Sequence, residues 1–195
     1  NKAILLDQGR IVKEGEDVRS VISYYLAFDN NIKTGYWINT ENKFTNPYFT
    51  IRYFAVEDDC GNIINEPVRN DSDINIVIEG DIKEVDNALQ VGYAIYNEDN
   101  ILLYWSIFND IKENEWPKLK IGKNKFVSKI PKRFLNEGKY RVELIVALYF
   151  RSWIIQPEKN SPAIFFTIQG GLSDSPYWMI KRPGVLAPVL KWEVL

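Results

Sequence analysis

The run from Lys139 to Trp153, KYRVELIVALYFRSW, decides the fold. At the two-residue period of a strand, Tyr140, Val142, Leu144, Val146, Leu148 and Phe150 share one face, and all are apolar. That face belongs against a core. The other face carries Arg141, Glu143, Ile145, Ala147, Tyr149, Arg151 and Trp153. Provided the strand runs unbroken to Trp153, this face points outward, with two aromatics and an arginine beside a small alanine.

The neighbouring segments read the same way. Leu89–Tyr96 alternates with Val91, Tyr93 and Ile95 inward and Gly92, Ala94 and Tyr96 outward. The turn Asn97–Asn100 joins it to Ile101–Phe108 in a hairpin. There Leu103-Trp105-Ile107 and Leu102-Tyr104-Phe108 are both apolar sets, so one of Tyr104 and Trp105 faces outward without the pattern saying which. Further strands are expected at Phe49–Val56, Asp73–Glu79, Lys125–Ile130, Ala163–Ile168 and Val185–Val194. Strands separated by turns, with no helical period among them, argue for an all-β fold, an antiparallel sandwich over residues 46–195.

Two segments precede it. Ala3–Leu6, the turn Asp7–Arg10 and Ile11-Val12 predict a hairpin, and Val18, Val21, Ile22, Tyr25 and Leu26 mark one face of a short helix. Together they form a unit over residues 1–29, which must dock on something to be stable. Residues 30–45 turn polar around Tyr36-Trp37-Ile38 and are expected to be a linker or an exposed loop.

Composition narrows the chemistry. The net charge of -2 comes from interspersed acids and bases, which leaves no basic field for a nucleic acid. Histidine is absent and Cys60 is the single cysteine, which removes His-dependent triads, histidine metal sites and internal disulfides. No apolar run is long enough to insert in a bilayer. A phosphate-binding loop is missing: Gly122-Lys123 is followed by Asn124, and Gly138-Lys139 by Tyr140. No cofactor is expected. The start at Asn1 suggests a piece of a longer protein.

The opening residues Leu5, Leu6, Asp7, Gly9, Arg10, Ile11, Val12, Gly15 and Tyr25-Leu26 resemble the C-terminal end of an ABC-transporter nucleotide-binding domain. The remainder is similar to the appended C-terminal domain of Wzt-type ATPases, which serve exporters of O-antigen polysaccharide. Its marks are Asp58 to Gly61, then Leu135, Gly138, Tyr140 and Val142, then Arg182, Pro183, Gly184, Val185 and Trp192. The resemblance implies an immunoglobulin-like β-sandwich that binds finished glycan without chemistry. It further implies a cytoplasmic place at the inner face of the membrane, reached through the full-length ATPase and its membrane subunit. A homodimer, with a C-terminal strand that can be exchanged, is implied as well.

A glycan receptor needs exposed aromatic faces for sugar C–H surfaces and polar groups for hydroxyls. Tyr96, Tyr104, Trp105, Tyr149, Arg151 and Trp153 are the candidate carbohydrate-binding residues. Outward aromatics can equally cover a loop or a dimer interface. Trp178 and Trp192 read as packing anchors. The alternative function is a structural dimerisation domain of the transporter ATPase. A glycan-cleaving enzyme would need two carboxyls across a cleft, whereas Asp58-Asp59, Asp71/Asp73 and Glu113/Glu115 fall in turn-like segments.

Overall fold

The computed structural model describes residues 3–7, 10–15, 34–177 and 180–194. The expected helix around Val18–Leu26 and the anchor Trp178 lie outside the described residues. The N-terminal hairpin forms: β1 (Ala3–Asp7) pairs antiparallel with β2 (Arg10–Gly15).

The remaining strands make two antiparallel sheets. The smaller has the order β3 (Tyr36–Ile38), β4 (Thr50–Glu57), β5 (Ile74–Ile82), β8 (Gly122–Ile130). The larger runs β10 (Ser152–Ile155), β9 (Gly138–Leu148), β6 (Leu89–Tyr96), β7 (Leu102–Ile107), and β11 (Ala163–Ile168) also pairs with β9. Among the described residues there is no α-helix, only a 3-10 turn at Glu113–Glu115.

One core holds the two sheets together. It takes Ile51, Phe54, Val56, Ile74, Ile76 and Ile78 from the smaller sheet, and Val91, Tyr93, Ile95, Val142, Leu144 and Val146 from the larger. Alternation therefore reads the inward faces correctly on β5, β6 and β9. The Tyr93 hydroxyl meets the Ser128 Oγ at 2.9 Å, a hydrogen bond from one sheet to the other.

Three expectations need correction. Tyr36–Ile38, read as linker or loop, is an edge strand whose Trp37 packs on the core; three residues are too few to show a period. The 185–194 run is not a strand, because Pro188 interrupts it and its pairing reduces to a bridge between Leu186 and Leu135. Finally, β9 ends at Leu148, and Phe150 is 92% exposed at φ 54° instead of facing inward. The turn at Tyr149–Arg151 contains none of the usual turn residues, so nothing in the sequence marks it. Trp153 thus stands on β10 opposite Ala147, which restores it to the face expected for it.

The corner leading into β9 is knotted by side chains. Asn136, 2% exposed, donates from its amide to the carbonyls of Arg182 (2.7 Å) and Gly184 (2.8 Å) and accepts from the Arg182 N–H at 3.3 Å. The Tyr140 hydroxyl donates to the Asn136 carbonyl at 2.7 Å, the arrangement of a tyrosine corner. Burial pushes that phenol up to about 12. The Leu135–Val142 motif and the Arg182–Val185 motif are therefore two halves of one packing unit.

Loss of a buried amide that serves several backbone groups costs more than loss of one neutral hydroxyl bond. Asn136→Ala should lower unfolding free energy by about 2 to 3 kcal/mol and Tyr140→Phe by about 1 kcal/mol in urea titrations. Equal, negligible effects would disprove the corner's structural weight.

Candidate functional site

The outer face of the larger sheet has small residues along its middle and large ones on its flanks. β6 contributes Gln90, Gly92 and Ala94, and β9 contributes Ile145 and Ala147. Trp105 on β7 stands opposite Ala94, and Trp153 on β10 stands opposite Ala147. Two strands separate the tryptophans. Their ring centroids are nonetheless 6.0 Å apart with planes at 88°. The indoles therefore lean inward over the small side chains and meet edge to face, a favoured aromatic geometry. This explains why Ala94 and Ile145, on a face expected to be open, are buried in a second small cluster with Tyr96 and the partly buried Ile107.

Gly92 permits the close approach of β7. A Cβ there would lie 2.1 Å from the Ser106 carbonyl oxygen and 2.8 Å from the Ile107 Cδ1. The Ile107 side chain could turn aside, but the Ser106 carbonyl can be relieved only by moving backbone.

At the β9–β10 turn the face opens into a hollow of about 380 Å³. Its walls are Gln90, Trp105, Ala147 and Leu148, then Tyr149 to Trp153. Trp105 is 46% exposed, Trp153 45% and Tyr149 55%. The Tyr149 and Phe150 rings lie tilted with centroids 4.3 Å apart. Backbone bonds fix this turn: the Arg151 N–H donates to Leu148 and the Tyr149 N–H donates to Ala88, both at 2.8 Å. The Arg151 guanidinium pairs with Asp86 at 2.5 Å. That contact holds the Asp86 carboxyl below its usual range and raises the guanidinium.

Of the six residues picked from the sequence, the structure brings together Trp105, Tyr149, Arg151 and Trp153. Tyr96 and Tyr104 do not join them. Tyr96 is buried beneath the Arg141 guanidinium, 4.1 Å from its ring centroid. Arg141 also pairs with Glu143, whose carboxylate accepts the Glu158 N–H at 2.6 Å. Burial pulls the Arg141 guanidinium down and pushes the Tyr96 phenol up. Tyr104 faces the core, edge-on to Tyr93 at 6.3 Å and Phe134 at 5.8 Å, and burial raises its phenol. Phe150, Gln90 and Asp86 were missed. Asp86 lies far from Arg151 in sequence and no pattern connects them.

Of the sequence-adjacent carboxylates, Asp58, Asp71 and Asp73 are occupied. Asp58 accepts backbone N–H groups from Cys60 (2.9 Å) and Asn62 (2.8 Å), closing its turn. Asp71 binds Arg69, while Asp73 binds Lys129 and Lys132. Among the described residues no group of three or more His, Cys, Asp or Glu could hold a metal ion, and no helix is long and apolar enough to cross a membrane.

Gly92→Ala tests the leaning geometry. The added methyl should destabilise the chain by about 2 kcal/mol, as overpacking does, and should shift the tryptophan emission as the Trp105–Trp153 contact loosens. An unchanged spectrum at unchanged stability would refute this account.

Neither a family model nor a curated protein sequence matches the chain. Among solved structures it is similar to one described as the crystal structure of the C-terminal domain of Wzt. The identity is 10% and the TM-score 0.51, with 83% of this chain and 89% of that chain covered. At this identity the likeness is one of architecture: the chain has the fold of the C-terminal domain of Wzt.

Proposed function

We propose that the chain is the non-catalytic glycan-recognition domain of an ABC polysaccharide exporter, an immunoglobulin-like β-sandwich that binds O-antigen-type polysaccharide at the cytoplasmic face of the membrane. The observation that carries this reading is the hollow beside the leaning tryptophans. Exposed indole and phenol faces converge there with an amide, a hydroxyl and a guanidinium, the complement of a pyranose with its apolar face and rim of hydroxyls. The shared fold with the Wzt C-terminal domain and the tyrosine corner at Tyr140 support the exporter context and the immunoglobulin-like assignment. In the full protein the ATPase would link this domain to the membrane subunit.

An open hollow buries little ligand surface, and export requires release. A dissociation constant between about 1 μM and 1 mM suits both. Titration with surface polysaccharide of the source organism, followed by tryptophan fluorescence, should saturate in that range. Trp153→Ala should weaken binding about tenfold or more, equivalent to about 1.4 kcal/mol. Wild-type affinity in both Trp153→Ala and Tyr149→Ala would sink the site.

The C-terminal run favours a second role alongside it. Leu190, Trp192 and Val194 are exposed, although Ala187 in the same run is buried and donates its N–H to Phe134 at 2.9 Å. An anchored segment with an apolar, uncovered end supports a homodimer in which this end is exchanged between protomers. Should no source glycan bind, dimerisation of the ATPase becomes the better reading. Light scattering of the chain and of Trp192→Ala measures it: the wild type should be dimeric and the variant shifted toward monomer.

A further inference from the structure

The charge around the hollow carries one step more, which rests on the glycan reading above. Among the described residues Arg151 is the one ionised side chain in the hollow's walls, and its charge is already met by Asp86 at 2.5 Å. Asp86 is no casual partner. Its carboxylate also accepts the Ala88 N–H at 2.8 Å, and its carbonyl accepts the Leu89 N–H at 3.0 Å. The acid is thus fixed by the β5–β6 connection at the lip of the hollow, with its charge turned to the guanidinium.

We infer that the hollow selects uncharged sugar chains, and that Asp86 is the specificity-determining residue. The Arg151–Asp86 pair has no net charge, yet spare guanidinium N–H donors and spare carboxylate lone pairs remain. Donors and acceptors side by side suit neighbouring sugar hydroxyls, each of which both gives and takes a hydrogen bond. A uronate, sulfate or phosphate on the sugar meets a different situation. To reach Arg151 it must displace a carboxylate already held there, and it is repelled by that carboxylate throughout its approach. The rest of the described wall consists of Trp105, Trp153, Tyr149, Phe150, Gln90, Ala147, Leu148 and Ser152, which offer an anion no compensating cation.

The test uses the 195-residue chain and one polysaccharide in two forms. The neutral fraction of the source organism's surface polysaccharide is titrated before and after oxidation of its primary alcohols to carboxylates. The readout is the ratio of the two affinities at low ionic strength, where exposed charges are least screened. Oxidation should weaken wild-type binding about tenfold or more. Asp86→Asn keeps an oxygen for the Ala88 N–H while releasing the Arg151 charge, and should cut that ratio to about threefold or less. Arg151→Gln works in the opposite direction, since it leaves the carboxylate uncompensated, and should raise the ratio. This second variant keeps the inference open to refutation even if Asp86→Asn does not fold. A wild-type ratio near one, a preference for the oxidised form, or a ratio that neither variant moves would overturn the selectivity. Binding of neither form by folded wild type would instead overturn the glycan reading itself, and this inference with it.

Discussion

Strand β9 is hydrogen-bonded along both edges and, from Val142 to Leu148, dry on both faces, and the rest of the larger sheet follows from that constraint. β6 pairs along one edge, and β10 and β11 share the other. The inward side chains Val142, Leu144 and Val146 lie in the common core. On the opposite face Glu143, Ile145 and Ala147 are buried too. A buried carboxylate needs a partner and hydrogen bonds. Glu143 obtains both, from Arg141 and from the Glu158 N–H. Arg141 in turn lies on the ring of Tyr96, which is thereby closed to any ligand. The aromatics of this sheet that stay exposed are Trp105 on β7 and Tyr149, Phe150 and Trp153 past the end of β9, where the chain turns back.

The two sheets treat their outer faces differently. On the smaller sheet Lys123 and Lys125 pair with Glu79, and the Tyr53 hydroxyl donates to Glu57 at 2.9 Å. Such half-exposed pairs contribute little to stability, since water screens them, but they leave that face polar. Among the described residues the outer face of the larger sheet shows no comparable ladder where Trp105 and Trp153 meet. There, small residues at Gly92, Ala94 and Ala147 leave a trough, and two tryptophans from opposite flanks close most of it. The hollow is the part they do not close. Ligand contact and sheet packing therefore draw on the same indoles, and changes at Gly92 and at Trp153 should be felt in both.

Along β5, β6 and β9 the sequence alone determined which residues face the core. Strict alternation along 74–78, 89–96 and 140–148 admits one inward set, because a slip by one residue would turn every apolar side chain to water. It also placed Tyr149, Arg151 and Trp153 together at one end of a strand, and showed that one of Tyr104 and Trp105 must face outward. Tertiary structure decided the rest. Alternation cannot tell whether an outer face is bare or covered, since covering depends on elements distant in the chain, and so Tyr96 was expected on a surface that Arg141 occupies. It cannot detect a turn without turn residues, which hid the exposure of Phe150. Nor could it join Asp86 to Arg151, or Asn136 to the backbone of Arg182 and Gly184. Those contacts exist because the fold brings together segments that share no local period, and only the paired, folded chain has that geometry.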